Sequence, residues 1–332
     1  MALETHDLEG IPTWVLTDAD GARLQVSSRG AMVLSWQVPD DEGRMVELLD
    51  GYTTATELLE HDGYRNAVLV PWSNRVRDAR YTWQGVERDL APGGTEDVMH
   101  GLVVDATWQE VAGGGDVTEP DESDTDCVSL VTAIEPSPGY PFPLQVRATY
   151  RLTSEDGTYR LSLDLTAFNT GAEDAPVALG WHPYVRLPGH GSIDELDLRV
   201  PAGTQIRTDD ASIPLPGQDA FVPATGSETM APLGDQVLDD AWTDLEPDGD
   251  GTVRTVLSSR RTGSSITLEQ HPSARVVHVF TGDTLQRDRR AAVALEPCQL
   301  MTDAVNRPEC AEALALPPGD TRRLSATLVH RP

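Results

Sequence analysis

The 332-residue sequence predicts an all-β protein, a large antiparallel β-sandwich, and three observations carry that expectation. Apolar and polar residues alternate with period two in Leu144–Leu152 and again in Leu161–Ala167, the pattern of strands with one buried and one wet face. Shorter copies recur at Val128–Ile134, Leu196–Val200, Ile266–Leu268, Val277–Phe280, Val293–Leu295 and Leu324–Leu328, separated by Gly, Pro and Asp clusters that read as turns. Helical periodicity is nearly absent, and a single short helix is expected over Thr53–Glu60.

Two stretches rich in Gly, Pro and acids, Gly113–Asp126 and Asp209–Gly234, are each bracketed by strand signals. They read as long surface loops within one domain spanning 1–332, since no linker divides the chain. The formal charge is −29, from 54 acidic and 25 basic residues, and every basic residue is arginine. Such a surface repels nucleic acid and anionic lipid, so neither is expected as a partner. The N-terminus Met-Ala-Leu-Glu-Thr-His-Asp lacks the apolar core of a leader, and no run is long enough to cross a bilayer. Cys127, Cys298 and Cys310 are odd in number and fit no zinc or redox spacing, so free thiols and a cytoplasmic location are expected.

The stretch richest in chemistry is Leu179-Gly-Trp-His-Pro-Tyr-Val-Arg-Leu-Pro-Gly189. His182 sits between two bulky rings, Trp181 and Tyr184, with Pro183 stiffening the backbone. That setting suits a proton donor titrating near neutrality, and equally a core histidine bonded to a carbonyl. Upstream, the apolar Val68–Val70 runs into Pro71 and presents Trp72, Asn74 and Arg75. The rigid fork of Arg75 and the donor and acceptor of Asn74 suit a hydroxyl-rich ligand, with Trp72 or Trp83 as an apolar platform; a surface salt bridge is the alternative.

His100 follows the glycine-rich Gly93-Gly-Thr-Glu-Asp-Val-Met and precedes Gly101, where backbone can approach a ligand closely. Asp239 and Asp240 stand just before Trp242, an acid-beside-indole pattern that suits a sugar; a solvated loop is the alternative in so acidic a chain. Downstream, Asp244, Glu246 and Asp248 imitate the start of a calcium loop, but Thr255 replaces the bidentate Glu and Pro247 intrudes. No zinc spacing occurs among the histidines. Glu296 closes the apolar strand Val293–Leu295, where desolvation raises a carboxyl pKa toward that of a base working near pH 7.

In order, these segments resemble the aldose 1-epimerase (galactose mutarotase) family, over about Arg65 to Gly319. The landmarks are Asn74-Arg75 with Arg80-Tyr81 and Gly85, His100-Gly101, Phe168-Asn-Thr-Gly171 leading to His182-Pro-Tyr184, Asp239-Asp240, and Glu296 with Asp303-Ala-Val-Asn306. The run Tyr64-Arg-Asn-Ala-Val-Leu-Val-Pro-Trp-Ser-Asn-Arg75 is most similar to a bacterial subgroup. The resemblance implies a galactose mutarotase-like supersandwich that opens and recloses an aldose ring without metal or nucleotide. Glu296 is then the base and His182 the acid. His100 and Arg75 hydrogen-bond the ring oxygen and nearby hydroxyls, Asn74 stands beside them, and Asp240 holds the far side.

The implied partner is a free hexose, on a protein that is a monomer or homodimer. Two other readings stay open. One is a mutarotase for a phosphorylated or sulfonated hexose, with Arg77, Arg80 or Arg186 supplying the cationic pocket. The other is a non-catalytic sugar-binding protein. Ala79 stands where the family more often has glycine, and the run Pro-Cys-Gln-Leu-Met-Thr after Glu296 departs from the family pattern; both bear on substrate choice more than on reaction type.

Overall fold

The computed structural model describes residues 2–94, 97–115, 117, 118, 120, 121, 126–224 and 228–332. Its strands pair antiparallel in three large sheets. The expected alternation is clearest in a nine-stranded sheet whose central ladder joins Cys127–Ile134, Leu144–Glu155, Thr158–Asn169 and Thr321–Arg331. Leu161, Leu163 and Leu165 turn inward there. They meet Leu328, Ala326 and Leu324 across the register, so each period-two run buries its apolar face against another.

A second sheet carries the site. Its order is Phe221–Pro223, Ala202–Ile206, Asp239–Leu245, Val276–Phe280, Val293–Cys298, Gly180–Trp181 and Val68–Leu69, and Tyr184–Val185 adds to the Val293–Cys298 strand. The strand Val293–Cys298 is buried on both faces, which explains why it reads as a continuous apolar run. A five-stranded meander over Ala2–Glu47 forms the third sheet. One apolar cluster runs from Trp14 to Leu328 and joins residues of all three.

The expected helix is present as Ala55–Glu60, capped by the Thr54 side chain, which accepts from the Glu57 N–H. Of the first expected loop, Gly114–Gly115 pairs with Pro120–Asp121, and 116, 119 and 122–125 lie outside the described residues. The second contains a 3-10 turn, Gly217–Ala220, and the short strands Phe221–Pro223 and Glu228–Met230, with 225–227 outside the description. No helix among the described residues is long and apolar enough to cross a membrane.

Candidate active site

Register on the second sheet decides which side chains meet. Glu296 lies directly opposite His278, Ala294 opposite Phe280, and Phe280 in turn opposite Asp239. Because side chains alternate faces, Glu296, His278, Phe280 and Asp239 project from the same face. Asp240 projects from the other. His182 follows the strand Gly180–Trp181, and the backbone on both sides of it is tied down. Its N–H donates to Ala67 O at 3.0 Å and its carbonyl accepts from Asn66 N at 3.0 Å, while Asn66 Oδ1 accepts from Tyr184 N at 2.9 Å.

These elements border a cleft whose lining includes Tyr64, Asn74, Arg75, His100, His182 and Glu296, with Asp62, Asp239, Tyr184 and Phe280 among its other walls. His182 Nε2 stands 3.3 Å from Glu296 Oε1. Glu296 is 1% exposed and His182 4%. Glu296 Oε2 and His182 Nδ1 are both buried without a hydrogen-bond partner among the described residues. An unsatisfied buried polar atom costs about 1–3 kcal/mol, and a ligand hydroxyl recovers it.

His100 and Arg75 reach the cleft from a loop pair held in unusual backbone. His100 has φ of 59° and the following Gly101 φ of 82°. A Cβ on Gly101 would lie 2.0 Å from the Val70 carbonyl oxygen, so only glycine fits. His100 Nδ1 accepts from Asn74 N–H at 3.2 Å, which assigns the ring proton to Nε2. The Asn74 side chain turns back to accept from Arg75 N at 2.8 Å. Arg75 donates from Nη1 to Met99 Sδ at 3.0 Å, and its buried Nε has no partner among the described residues. Asp303 steadies this edge: its N–H donates to Arg75 O, and its Oδ1 accepts from Arg77 N and Asn306 Nδ2.

Burial sets the electrostatics. It pushes Glu296 up from 4.5 to about 8, against the opposing charge of His278. It pushes His182 down from 6.5 to about 3, with His278 adding to the effect. His100 is also driven well below the usual imidazole range by burial and by its histidine neighbours. His278 goes the other way: burial would lower it, but Glu296, Asp239 and Asp240 together raise it above 6.5. For Asp239, burial is outweighed by the hydrogen bond from His278, and its pKa falls.

Five of the six residues singled out from sequence, Glu296, His182, Arg75, His100 and Asn74, converge on the cleft. Asp240 does not line it. Its half-buried carboxylate accepts from Gln205 Nε2 at 3.1 Å on the opposite sheet face, and its neighbour Asp239 lines the cleft instead. Period two alone distinguishes the pair once the register is known. The expectation that His182 titrates near neutrality also needs correction, because burial pushes its pKa down to about 3. Neither tryptophan forms a platform. Trp72 borders a separate apolar cavity with Tyr81 and Tyr140, and Trp83 is buried, donating to Asp174 O. Tyr64, Tyr184 and Phe280 supply the rings instead. His278 was not singled out, since nothing in Val-Val-His-Val-Phe marks its partners before strands are paired. Arg77 pairs with Asp209, Arg80 reaches Glu87 and Asp89, and none of Arg77, Arg80 and Arg186 lines the cleft.

A β-sandwich holding a buried carboxylate and imidazole in one polar cleft is of the galactose mutarotase-like class. The chain belongs to the aldose 1-epimerase family, whose profile matches residues 12–328. It is 27% identical to the uncharacterized protein YphB of Escherichia coli K12 over 295 residues, which is 85% of this chain and 90% of that one. It is 25% identical to the galactose mutarotase of Bos taurus over 327 residues, 91% and 89% of the two chains. A 31% identical match to the uncharacterized protein YihR of the same bacterium spans 44% of each chain. The fold is that of the GalM/aldose epimerase homologue from C. elegans, with a TM-score of 0.80 at 17% identity, covering 99% of both chains.

Proposed function

We propose that this protein is a mutarotase that interconverts the α and β anomers of a free, uncharged hexose such as glucose or galactose. The observation that carries the reading is the Glu296–His182 pair: two proton-exchanging groups 3.3 Å apart in a polar cleft, each with one unpartnered atom. With Glu296 at about 8 and His182 at about 3, the pair holds one proton over the intervening range. That proton has two positions, on the carboxyl with a neutral ring, or on the ring with a carboxylate.

Ring opening uses the second and ends in the first. Glu296 carboxylate takes the proton of the C1 hydroxyl as the C1–O5 bond breaks, and His182 gives its proton to O5. The products are an open-chain aldehyde, a neutral carboxyl and a neutral imidazole. Rotation about C1–C2 and reversal of both transfers close the other anomer, and the enzyme returns to its starting charge. His100 Nε2–H and Arg75 donate to the sugar oxygens, and Asp239 accepts from hydroxyls on the far side.

The uncharged substrate is favoured because Arg77, Arg80 and Arg186 lie outside the cleft, and Arg75, which lines it, is accompanied there by Asp62, Asp239 and Glu296. A purely binding role is disfavoured by the retention of both proton-exchanging groups. The three cysteines form no disulfide with one another, which fits a cytoplasmic enzyme. Polarimetry on freshly dissolved α-glucose and α-galactose, beside phosphorylated and sulfonated hexoses, tests the assignment. Faster relaxation is expected with a free sugar. A rate unchanged by enzyme for every sugar refutes it, and acceleration confined to the anionic sugars transfers the assignment to them.

A further inference from the structure

His278 is a buried imidazole that does not line the cleft, yet it touches the groups that do. Its Nε2 lies 2.7 Å from Asp239 Oδ1, and it faces Glu296 directly across the strand pair. Directly opposite residues of an antiparallel ladder place their Cβ atoms about 4.5–5.5 Å apart, well within electrostatic reach. Every element around it contributes a titratable or charged group. The strand Val293–Cys298 brings Glu296, and the strand Asp239–Leu245 brings Asp239 and Asp240. The cleft adds His182, His100 and Arg75. Two acids that line the cleft therefore share the sheet face of this imidazole, and Asp240 adds its charge from the opposite face.

We propose that His278 is a positioning residue that acts through Asp239 and Glu296. It fixes the first carboxylate in the cleft and gives the second, its direct cross-strand neighbour, a positive counter-charge that favours the carboxylate form. The inference rests on the mutarotase reading. Without a cation behind it, a carboxylate this deeply buried holds its proton still more firmly, in the form that cannot accept the C1 hydroxyl proton. A charged His278 lowers the cost of reaching the carboxylate form. The raised pKa of His278 agrees with this arrangement, since burial alone would lower it.

His278→Gln keeps a hydrogen-bond donor for Asp239 and removes the charge. The same electrostatic change then shows twice in the pH profile of mutarotation. The plateau of kcat falls roughly tenfold, and the alkaline limb, set by loss of the proton from the Glu296–His182 pair, moves up by about one pH unit. KM changes less than kcat. A variant that merely disturbs the cleft lowers the plateau without moving the limb, and that result overturns the proposal.

An imidazole NMR titration of the intact chain gives a readout independent of activity and of the folding of the His278 variant. The His278 pKa is expected to fall by about one unit in Glu296→Gln and again in Asp239→Asn. A His278 pKa that is the same in parent and Glu296→Gln refutes the coupling, even if mutarotation is found. Absence of mutarotation in the parent refutes the functional reading alone, and the titration still decides the coupling.

Discussion

Glu296→Gln preserves the shape of the side chain and removes its acidity, so it separates what the carboxylate does in catalysis from what it costs the fold. A carboxyl group whose pKa is raised by folding stabilises the protein fully below its ordinary pKa and loses that contribution as pH climbs through the folded value. For Glu296 the window runs from 4.5 to about 8. At about 1.36 kcal/mol per unit, the displacement from 4.5 to about 8 sets an upper bound of about 5 kcal/mol lost by pH 9, with about 3 lost by pH 7. The glutamine variant has no such dependence, and every other acid is common to both proteins.

The melting temperature of the variant relative to the parent should therefore rise with pH, by up to about 6 °C between pH 5 and pH 9. Over the same range mutarotation should fall roughly 10²–10⁴-fold, the usual contribution of a general base. Circular-dichroism melts at matched ionic strength, beside polarimetry, measure both. A melting difference that stays constant from pH 5 to pH 9 would show that Glu296 is not a strained, proton-retaining group. A variant as active as the parent would show that it is not the base.

Other outcomes follow from the same geometry. Because the active pair carries one proton, kcat/KM should be level near neutrality and decline above about pH 8 as Glu296 loses it; a rate that climbs through pH 8 in polarimetry refutes the shared proton. Asp239→Asn should lower kcat/KM about tenfold or more and Asp240→Asn about twofold at most, since only Asp239 lines the cleft; equal losses would contradict the assigned faces. Gly101→Ala forces a Cβ to within 2.0 Å of the Val70 carbonyl oxygen at a φ of 82°, so denaturant unfolding should show a loss of about 3 kcal/mol or more. Arg75→Lys replaces a fork by a point charge and should raise KM several-fold with little change in the melt.

What the sequence reveals follows the range of the interaction. Alternation in Leu144–Glu155, Thr158–Asn169 and Thr321–Arg331 is local, so those strands are legible residue by residue. Glu296 and His182 are legible because each sits in a local pattern, a carboxyl after an apolar run or a proline-stiffened turn, although the strand expected to end at Glu296 runs on to Cys298. The choice between Asp239 and Asp240 is different. It depends on which sheet face each strand turns to the cleft, and that is fixed by pairing with Val276–Phe280, about forty residues later. His278 is hidden for the same reason, because its meaning lies in partners on two other strands. Trp72 and Trp83 mislead in the opposite way, since an aromatic ring near a polar motif is more often packed in the core than offered to a ligand. Ala79, in place of the commoner glycine, is found at a φ of 54°, so the departure is absorbed as backbone strain away from the proton-transfer groups.

On the proposed mechanism, the opposite surroundings of the two histidines near Glu296 account for one and not the other exchanging a proton with the sugar. His182 stacks on Tyr184 at 5.1 Å with the rings 5° apart, and the Arg65 guanidinium lies 5.5 Å from the centre of the Tyr184 ring. Arg65 is itself buried and paired with Asp50, so a fixed cation stands one ring behind His182 and opposes a second positive charge there. A proton placed on that imidazole is therefore held weakly and passes readily to a ring oxygen, which is a poor base. On the other side of Glu296, three acids hold the His278 proton firmly, and one of them takes it in a hydrogen bond of 2.7 Å. A proton so tightly bound is ill suited to transfer and well suited to serve as fixed charge. On that reading, two imidazoles placed in surroundings that drive their pKa values apart divide the work, one relaying the proton and the other favouring the carboxylate that receives it.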